Sequence, residues 1–289
     1  RSHMARQRRR LDRHRDRSSH KEGVRLGEAA LEEDRVVLGP WSGMVVERLV
    51  QQEVQAAWSA GLVDNRHRSD MAFSQGLLET LSLPAHLYLT VTERCNLRCR
   101  HCITHAPERT HDGHARQMQP WLIEQLRGAF EAATYFGFSH GGESLSSPMF
   151  MPLLEAIQDA RKEISKAYDV HLLTNGMLLD ADRVERLVER NVTSLAVSLD
   201  GVSARTNDNI RMGSSVAIVL DHLRHAVLFR ETSGANLRIG ISMVACASNL
   251  EELVDMGRLV ADIGLDWLKI EEMFPCNAFA RSEMLSSGD

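Results

Sequence analysis

Residues 87–102 read LYLTVTERCNLRCRHC, a run of apolar and β-branched residues that leads directly into three cysteines. The run at 87–92 predicts a β-strand, and Cys95, Cys99 and Cys102 follow it with the spacing C-x3-C-x2-C. Three thiolates on one tight loop can bind three irons of a [4Fe–4S] cluster, which leaves the fourth iron open to a substrate or cofactor. A structural zinc site with His105 as a fourth ligand also fits the loop. The cysteines alone do not separate these two interpretations.

The chain beyond residue 86 alternates short apolar runs with helical patterns. We predict strands at residues 87–92, 136–140, 170–174, 195–199, 237–244 and 267–271. We predict helices at residues 120–134, 148–166, 181–190, 216–232 and 250–263. Pro120 and Pro148 favour helix starts, and Asp180 and Asn249 suit N-caps. Repeated strand–helix units indicate an α/β fold with a parallel sheet covered by helices. Six units predict a partial (β/α)6 TIM-like barrel rather than a closed eight-fold one.

The first 85 residues differ from this core in composition. Residues 1–28 are rich in Arg and His and poor in large apolar groups, which predicts a disordered basic tail. Residues 1–3 resemble a remnant of an expression vector. Residues 29–85 predict a helical extension, with a second short helix at 71–81 that ends before Pro84. The core domain is then expected at 86–289.

The overall composition excludes several classes of protein. A net charge of −5 does not favour binding to nucleic acid, although the basic tail permits it. The sequence contains neither an apolar run long enough to cross a membrane nor a secretory signal. Five cysteines, three of them within eight residues, do not suggest a disulfide framework. The expected location is therefore the cytoplasm.

Further motifs follow the predicted strands at the points where the strands end. Gly141-Gly142-Glu143 follows the second strand, Asn175-Gly176 the third, and Ser198-Leu199-Asp200-Gly201 closes the fourth. Catalytic groups in α/β barrels collect at the carboxyl ends of the strands, so these segments are expected to converge beside the cysteines. Glycines let backbone approach a ligand closely, and a carboxylate can pair with an ammonium group.

The cysteine spacing, the Gly-Gly-Glu segment and the S-L-D-G segment together resemble the radical S-adenosylmethionine (SAM) superfamily, from about residue 86 to 278. The resemblance implies that Cys95, Cys99 and Cys102 hold a [4Fe–4S] cluster. It also implies that this cluster receives an electron from a flavodoxin- or ferredoxin-type donor. The open iron of the family's cluster binds SAM, whose reductive cleavage yields a 5′-deoxyadenosyl radical that removes hydrogen from the substrate.

The resemblance also assigns roles to individual residues. It implies that Gly141, Gly142 and Glu143 bind the SAM amino group, although Ser144 stands where relatives often have Pro. It implies further contacts to SAM from residues that match the family's motifs: His101, Ser198, Asp200 and Arg211. His101 stands at a place that is usually aromatic, and only a packing role near the cluster is carried over to it.

The substrate is less well defined by the sequence. Glu271, Glu272 and Cys276, at the end of the sixth strand, are candidates to meet it. General similarity to peptide maturases favours a ribosomally made peptide in natural-product maturation, although a Cys-rich C-terminal extension is absent from these residues. The alternatives are a small molecule such as a sugar, nucleoside or amino acid, then RNA, and more remotely a zinc-stabilised interaction protein.

Overall fold

A computed structural model of the chain describes residues 65–78, 82–164 and 166–286. Its centre is a six-stranded sheet in which every neighbouring pair of strands is parallel. In their order across the sheet, the strands are β1 (His86–Tyr88), β3 (Tyr135–Phe138), β4 (Asp169–Thr174), β5 (Ser194–Ser198), β7 (Arg238–Ala245) and β8 (Trp267–Glu272). This arrangement confirms the predicted α/β fold and partial barrel. Five strands lie within two residues of their predicted bounds, whereas β1 is shorter because residues 89–92 leave the sheet.

Helices connect the strands in the predicted order. Those in the described part of the chain are α1 (Asn65–Ser74), α2 (Ala106–His111), α3 (Pro120–Gln125), α4 (Arg127–Ala132), α5 (Phe150–Arg161), α6 (Ala181–Glu189), α7 (Ala204–Ile210), α8 (Val216–Ser233), α9 (Leu253–Ile263) and α10 (Ala278–Ser282). The predicted helix at 120–134 is two short helices that meet at Leu126. The sequence patterns did not predict α2, α7 and α10, which are all short.

Two predictions about local structure need correction. The helix predicted at 71–81 lies at Asn65–Ser74 instead, because Gly76 has a left-handed φ of 65° and ends it. Asn249 stands at the N-cap of a 3-10 turn at Leu250–Glu252, as predicted, but its fully buried side chain does not cap the turn and bonds instead to Cys246 N, Asp200 O and Val244 O. Asp180 does cap α6, through a bond from Arg183 N. The predicted tail at 1–28 and the helical extension up to residue 64 lie outside the described residues.

The hydrophobic core lies between the sheet and its helices. Alternate strand residues point into it and are fully buried, among them Phe136, Leu172, Leu195 and Ile239. The intervening residues occupy the opposite surface, which we call the inner face of the sheet. It comprises His86, Tyr88, Tyr135, Gly137, Asp169, His171, Leu173, Ser194, Ala196, Ser198, Arg238, Gly240, Ser242, Val244, Trp267, Lys269 and Glu271. Polar and aromatic side chains are common there, so the inner face is not part of the hydrophobic core and is available to contact a ligand.

A short antiparallel ribbon fastens the cysteine loop to a distant segment. Strand β2 (Arg98–Cys99) pairs with β6 (Arg211–Met212), which places Cys99 opposite Arg211. Arg100 N also donates to Ile210 O at 2.9 Å. The ribbon therefore brings Arg211 to the cysteines by main-chain pairing. In the described ranges, none of the helices combines the length and apolar character needed to span a membrane.

Candidate active site

The three cysteines lie on one loop at the carboxyl end of the sheet and are free thiols. The loop is held by local bonds: Leu97 N donates to Cys95 Sγ at 3.5 Å, and Thr110 Oγ1 accepts a bond from Cys95 N at 3.1 Å. Leu97 itself is buried, which anchors the middle of the loop. Main-chain and core contacts therefore hold the loop that carries the three sulfurs.

The three thiols converge closely enough to influence one another. The pKa of the Cys99 thiol is raised to about 11, mainly by burial; the nearby Cys95 and Cys102 contribute to the rise, and Arg211 opposes it. Burial likewise raises the pKa of Cys95. A metal centre that binds here must displace the thiol protons, as thiolate ligation always requires.

The donor set fits a [4Fe–4S] cluster better than a single metal ion. Across residues 65–78, 82–164 and 166–286, no three His, Cys, Asp or Glu side chains are arranged around one ion. His105, the fourth zinc ligand considered above, has a left-handed backbone and stands at the start of α2. Thiolates on separate irons of a cube stand farther apart than ligands of one tetrahedral zinc. Three cysteines on one loop are the donor set that a [4Fe–4S] cluster with one open iron requires.

The two glycines of the Gly-Gly-Glu segment pack against the backbone that leads into Cys95. Gly142 N donates to Thr92 O at 2.7 Å, and Glu143 N donates to Arg94 O at 2.8 Å. A Cβ at Gly142 would lie 1.8 Å from Arg94 O, and Gly141 has a left-handed φ of 97°. The glycines are thus required for contact between two protein segments, a role that the sequence did not reveal.

Glu143 is buried, with 3% of its surface exposed. Its carboxylate accepts bonds from Leu145 N at 3.1 Å, Thr174 Oγ1 at 2.9 Å and Asn175 N at 2.8 Å. Burial raises the pKa of Glu143, and the three donors act against this effect. The carboxylate therefore joins the end of β4 to the Gly-Gly-Glu segment.

Asn175 connects the end of β4 to the cysteine loop. Its Nδ2 donates to Asn96 Oδ1 at 2.8 Å and lies 3.9 Å from Cys95 Sγ, while its Oδ1 accepts from Met177 N at 3.0 Å. The sequence predicted that Asn175 lies beside the cysteines, at the carboxyl end of its strand, but assigned it no role. Its position directly after a strand was the available signal.

Asp200 is fully buried and surrounded by partners. Its Oδ1 accepts from Val244 N at 2.9 Å. Its Oδ2 lies 2.7 Å from Arg211 Nε and 3.2 Å from His101 Nε2. The expected contact between Asp200 and the SAM ribose or carboxylate does not fit this burial, since the carboxylate is used to position Arg211 and His101.

His101 and Arg211 are nearly as inaccessible as Asp200. Burial lowers the pKa of His101 to about 4, so its ring is neutral near pH 7. Because His101 Nε2 faces the carboxylate, the proton belongs on that nitrogen, and His101 Nδ1 is left as a buried acceptor without a partner in the described structure. The terminal nitrogens of Arg211 make no hydrogen bond within the described residues.

Of the remaining predicted residues, Ser198 and Glu271 lie on the inner face of the sheet, and Glu272 and Cys276 do not. Ser198 ends β5 on the inner face and stands beside Ser242 of β7. Glu271 also lies on the inner face, whereas Glu272 points to the opposite side of β8 and is exposed. Cys276 packs behind the cysteine loop, with its Sγ 3.8 Å from both His101 O and Cys102 O. Of the three substrate candidates, only Glu271 faces the interior of the half-barrel.

The Radical SAM superfamily profile matches residues 89–259, which is more than half of the chain. The chain therefore belongs to the radical SAM superfamily and is a radical SAM enzyme. Membership carries with it the [4Fe–4S] cluster and SAM, and it confirms the class that the cysteine loop and its neighbouring motifs predicted.

Curated relatives have diverse activities. The chain is 25% identical over 194 residues to the tungsten-containing aldehyde ferredoxin oxidoreductase cofactor-modifying protein of Pyrococcus furiosus, covering 66% of this chain and 52% of that protein. It is 29% identical over 195 residues to a GTP 3′,8-cyclase of Synechococcus sp., covering 65% and 55%. It is 25% identical over 197 residues to the mycofactocin maturase of Mycobacterium ulcerans, covering 68% and 49%. The chain spans about half the length of these relatives.

A solved structure has the same fold. SuiB of Streptococcus suis bound to S-adenosylmethionine superposes with a TM-score of 0.57 at 14% identity, covering 84% of this chain and 56% of that one. At this identity the likeness concerns the fold, and it agrees with the partial barrel described above.

Proposed function

We propose that this radical SAM enzyme removes hydrogen from a ribosomally made peptide during the maturation of a natural product. Cys95, Cys99 and Cys102 would hold the cluster. When bound, the cluster supplies the electron that cleaves SAM to methionine and a 5′-deoxyadenosyl radical. The protein's own task is to place SAM and one substrate C–H bond together and to exclude water.

The SAM subsite in this proposal is built from groups around the cysteine loop. Main-chain groups of the Gly-Gly-Glu segment would face the SAM amino group, since the Glu143 carboxylate already has three internal partners. The free terminal nitrogens of Arg211 suit the SAM carboxylate. Ser198, whose hydroxyl has no bond in the described residues, would meet the ribose. His101 would pack beside the adenine, with Asp200 holding it in place.

The observation that carries the choice of a peptide is the charge of the inner face. Near the carboxyl end of β8, Lys269 is paired with Glu271 at 2.8 Å, so it is not free to bind a phosphate; Arg238, the other cation of the face, lies at the opposite end of β7. The maturase relative supports the same choice. The GTP cyclase relative supports the second candidate, a small molecule such as a nucleoside, sugar or amino acid.

The test begins with anaerobic reconstitution of the enzyme with iron and sulfide. After reduction, wild-type protein should convert SAM to 5′-deoxyadenosine, and Cys95→Ser, Cys99→Ser and Cys102→Ser should not. Cys246→Ala, a buried cysteine away from the loop, is the matched control and should retain this activity.

The substrate class is tested with peptides encoded by short genes beside the gene for this protein. Such a peptide should increase 5′-deoxyadenosine formation and change in mass, whereas GTP and sugar nucleotides should not. Stimulation by GTP alone would favour the second candidate. A cytoplasmic location and a flavodoxin- or ferredoxin-type electron donor belong to the same proposal.

A further inference from the structure

The inner face carries a polar row directly beside the proposed SAM subsite. Strand register places Ser198, Ser242 and Lys269 next to one another on β5, β7 and β8. Adjacent strands lie about 4.8 Å apart, so Lys269 is roughly 10 Å from Ser198. A group held at β8 would therefore lie within reach of a SAM molecule held at β5.

Three side chains at the top of this row form one hydrogen-bonded unit. Glu271 Oε1 lies 2.8 Å from Lys269 Nζ, and Glu271 Oε2 accepts from Ser242 Oγ at 3.1 Å. Ser242 is buried, whereas Lys269 and Glu271 are 60% and 44% exposed in their side chains. The unit presents a donor and an acceptor side by side at an accessible place, and its charges cancel.

His140 and Tyr88 lie on the β1–β3 side of the same face. His140, which follows β3, lies close enough to Glu271 to help hold the pKa of that carboxyl below its usual range, after the larger effect of Lys269. Tyr88 contacts His140, with ring centroids 6.4 Å apart, and is 60% exposed. The inner face thus carries an aromatic ring towards β1 and β3 and a donor–acceptor pair on β8.

Two glycines let aromatic rings lie flat on the inner face. A Cβ at Gly240 would stand 2.1 Å from the Trp267 ring, and one at Gly137 would stand 2.7 Å from the Tyr88 ring. Trp267 reaches across to His171, with ring centroids 6.4 Å apart. These rings form an apolar surface next to the polar side chains of Ser242, Lys269 and Glu271.

We infer that the surface formed by Tyr88, His140, Ser242, Trp267, Lys269 and Glu271, which we call the cup, binds an uncharged peptide segment, with Lys269 and Glu271 engaging a peptide group. A peptide group offers one donor and one acceptor, as the unit does, whereas a phosphate offers only acceptors and an ammonium group only donors. The aromatic rings suit an apolar side chain of the same segment. This inference rests on the proposed function, because it supplies the substrate subsite of that reaction.

The test measures binding of short capped peptides, acetylated and amidated, whose central residue is Leu, Phe or Tyr. Saturation-transfer NMR on the reconstituted holoenzyme with SAM should detect these peptides, and it should detect neither GTP nor free leucine. Glu271→Gln and Lys269→Met should weaken binding about tenfold, as expected when a hydrogen bond to a charged group is lost.

Glu272→Gln is the matched control, since Glu272 is the neighbouring carboxylate on the other side of β8, and it should bind peptides like the wild type. Equal effects of Glu271→Gln and Glu272→Gln would overturn the inference, as would an absence of binding by every peptide. Cleavage of SAM by wild-type holoenzyme is measured in parallel. If SAM is cleaved but the Glu271 variant binds peptides normally, only the cup assignment fails; if SAM is not cleaved, the proposed function fails.

Discussion

The Asp200 carboxylate lies 2.7 Å from the Arg211 guanidinium, and the two side chains are 0% and 10% exposed. Main-chain pairing of β2 with β6 delivers Arg211 to this place, and Val244 N fixes the carboxylate from the other side. An ion pair so well shielded from water has consequences that surface pairs lack.

We expect Asp200→Asn to lower the free energy of unfolding by roughly 3–5 kcal/mol, because Arg211 would keep its charge without a buried partner. Asp255→Asn, which breaks an exposed pair with Arg258, should cost less than about 1 kcal/mol. Urea denaturation of the protein without cluster measures both values. Similar decreases in the free energy of unfolding of the two variants would contradict the view that Asp200→Asn leaves the Arg211 charge buried without a partner.

Arg211 should also affect the cluster. Its charge lies beside Cys99, where it lowers the pKa of that thiol against the effect of burial. We expect Arg211→Met to make the reduction potential of the cluster more negative, because the positive charge that stabilises the reduced cluster is removed. EPR-monitored redox titration without SAM measures this shift. Arg98→Met, an exposed arginine in the same ribbon, should leave the potential nearly unchanged, and equal shifts would refute the assignment.

Gly142→Ala should prevent normal assembly of the cysteine loop. A Cβ at this position would stand 1.8 Å from Arg94 O, so the segment that leads to Cys95 must move. We expect a lower melting temperature and a lower iron content after reconstitution. Gly257→Ala is the control: it lies within α9 with open space around it, and should stabilise the protein by about 0.5–1 kcal/mol. Full iron loading of Gly142→Ala would argue against the close contact.

Glu93 gives the loop a defined response to acid. Hydrogen bonds from Arg116, followed by the charges of Arg109 and Arg116, hold the pKa of Glu93 at about 2, below its ordinary value of 4.5. Its stabilising effect is therefore present above pH 4.5 and is lost as pH falls through that value toward 2. Glu93→Gln should remove this part of the pH dependence in urea denaturation, whereas Glu108→Gln, an exposed carboxylate on α2, should retain it.

The sequence predicted the regular features well and the side-chain partners poorly. Strands such as Val170 to Thr174 are short and apolar, so their position follows from local pattern. The catalytic class followed from the three cysteines taken together with the Gly-Gly-Glu and S-L-D-G segments that follow later strands. The burial of Asp200 and the occupied carboxylate of Glu143 depend on contacts between distant segments, and no local pattern encodes them. The ribbon between Cys99 and Arg211 joins residues more than a hundred positions apart, and each of its strands is only two residues long.

One consequence follows from the position of β8 at the end of the strand order. Within the described residues its outer edge has no neighbouring strand, and Ile270 is 52% exposed beside it. Such an edge is a template for intermolecular strand pairing. Purified samples of this chain should therefore be prone to aggregate through β8, and solubility at high concentration should improve when Ile270 is replaced by lysine.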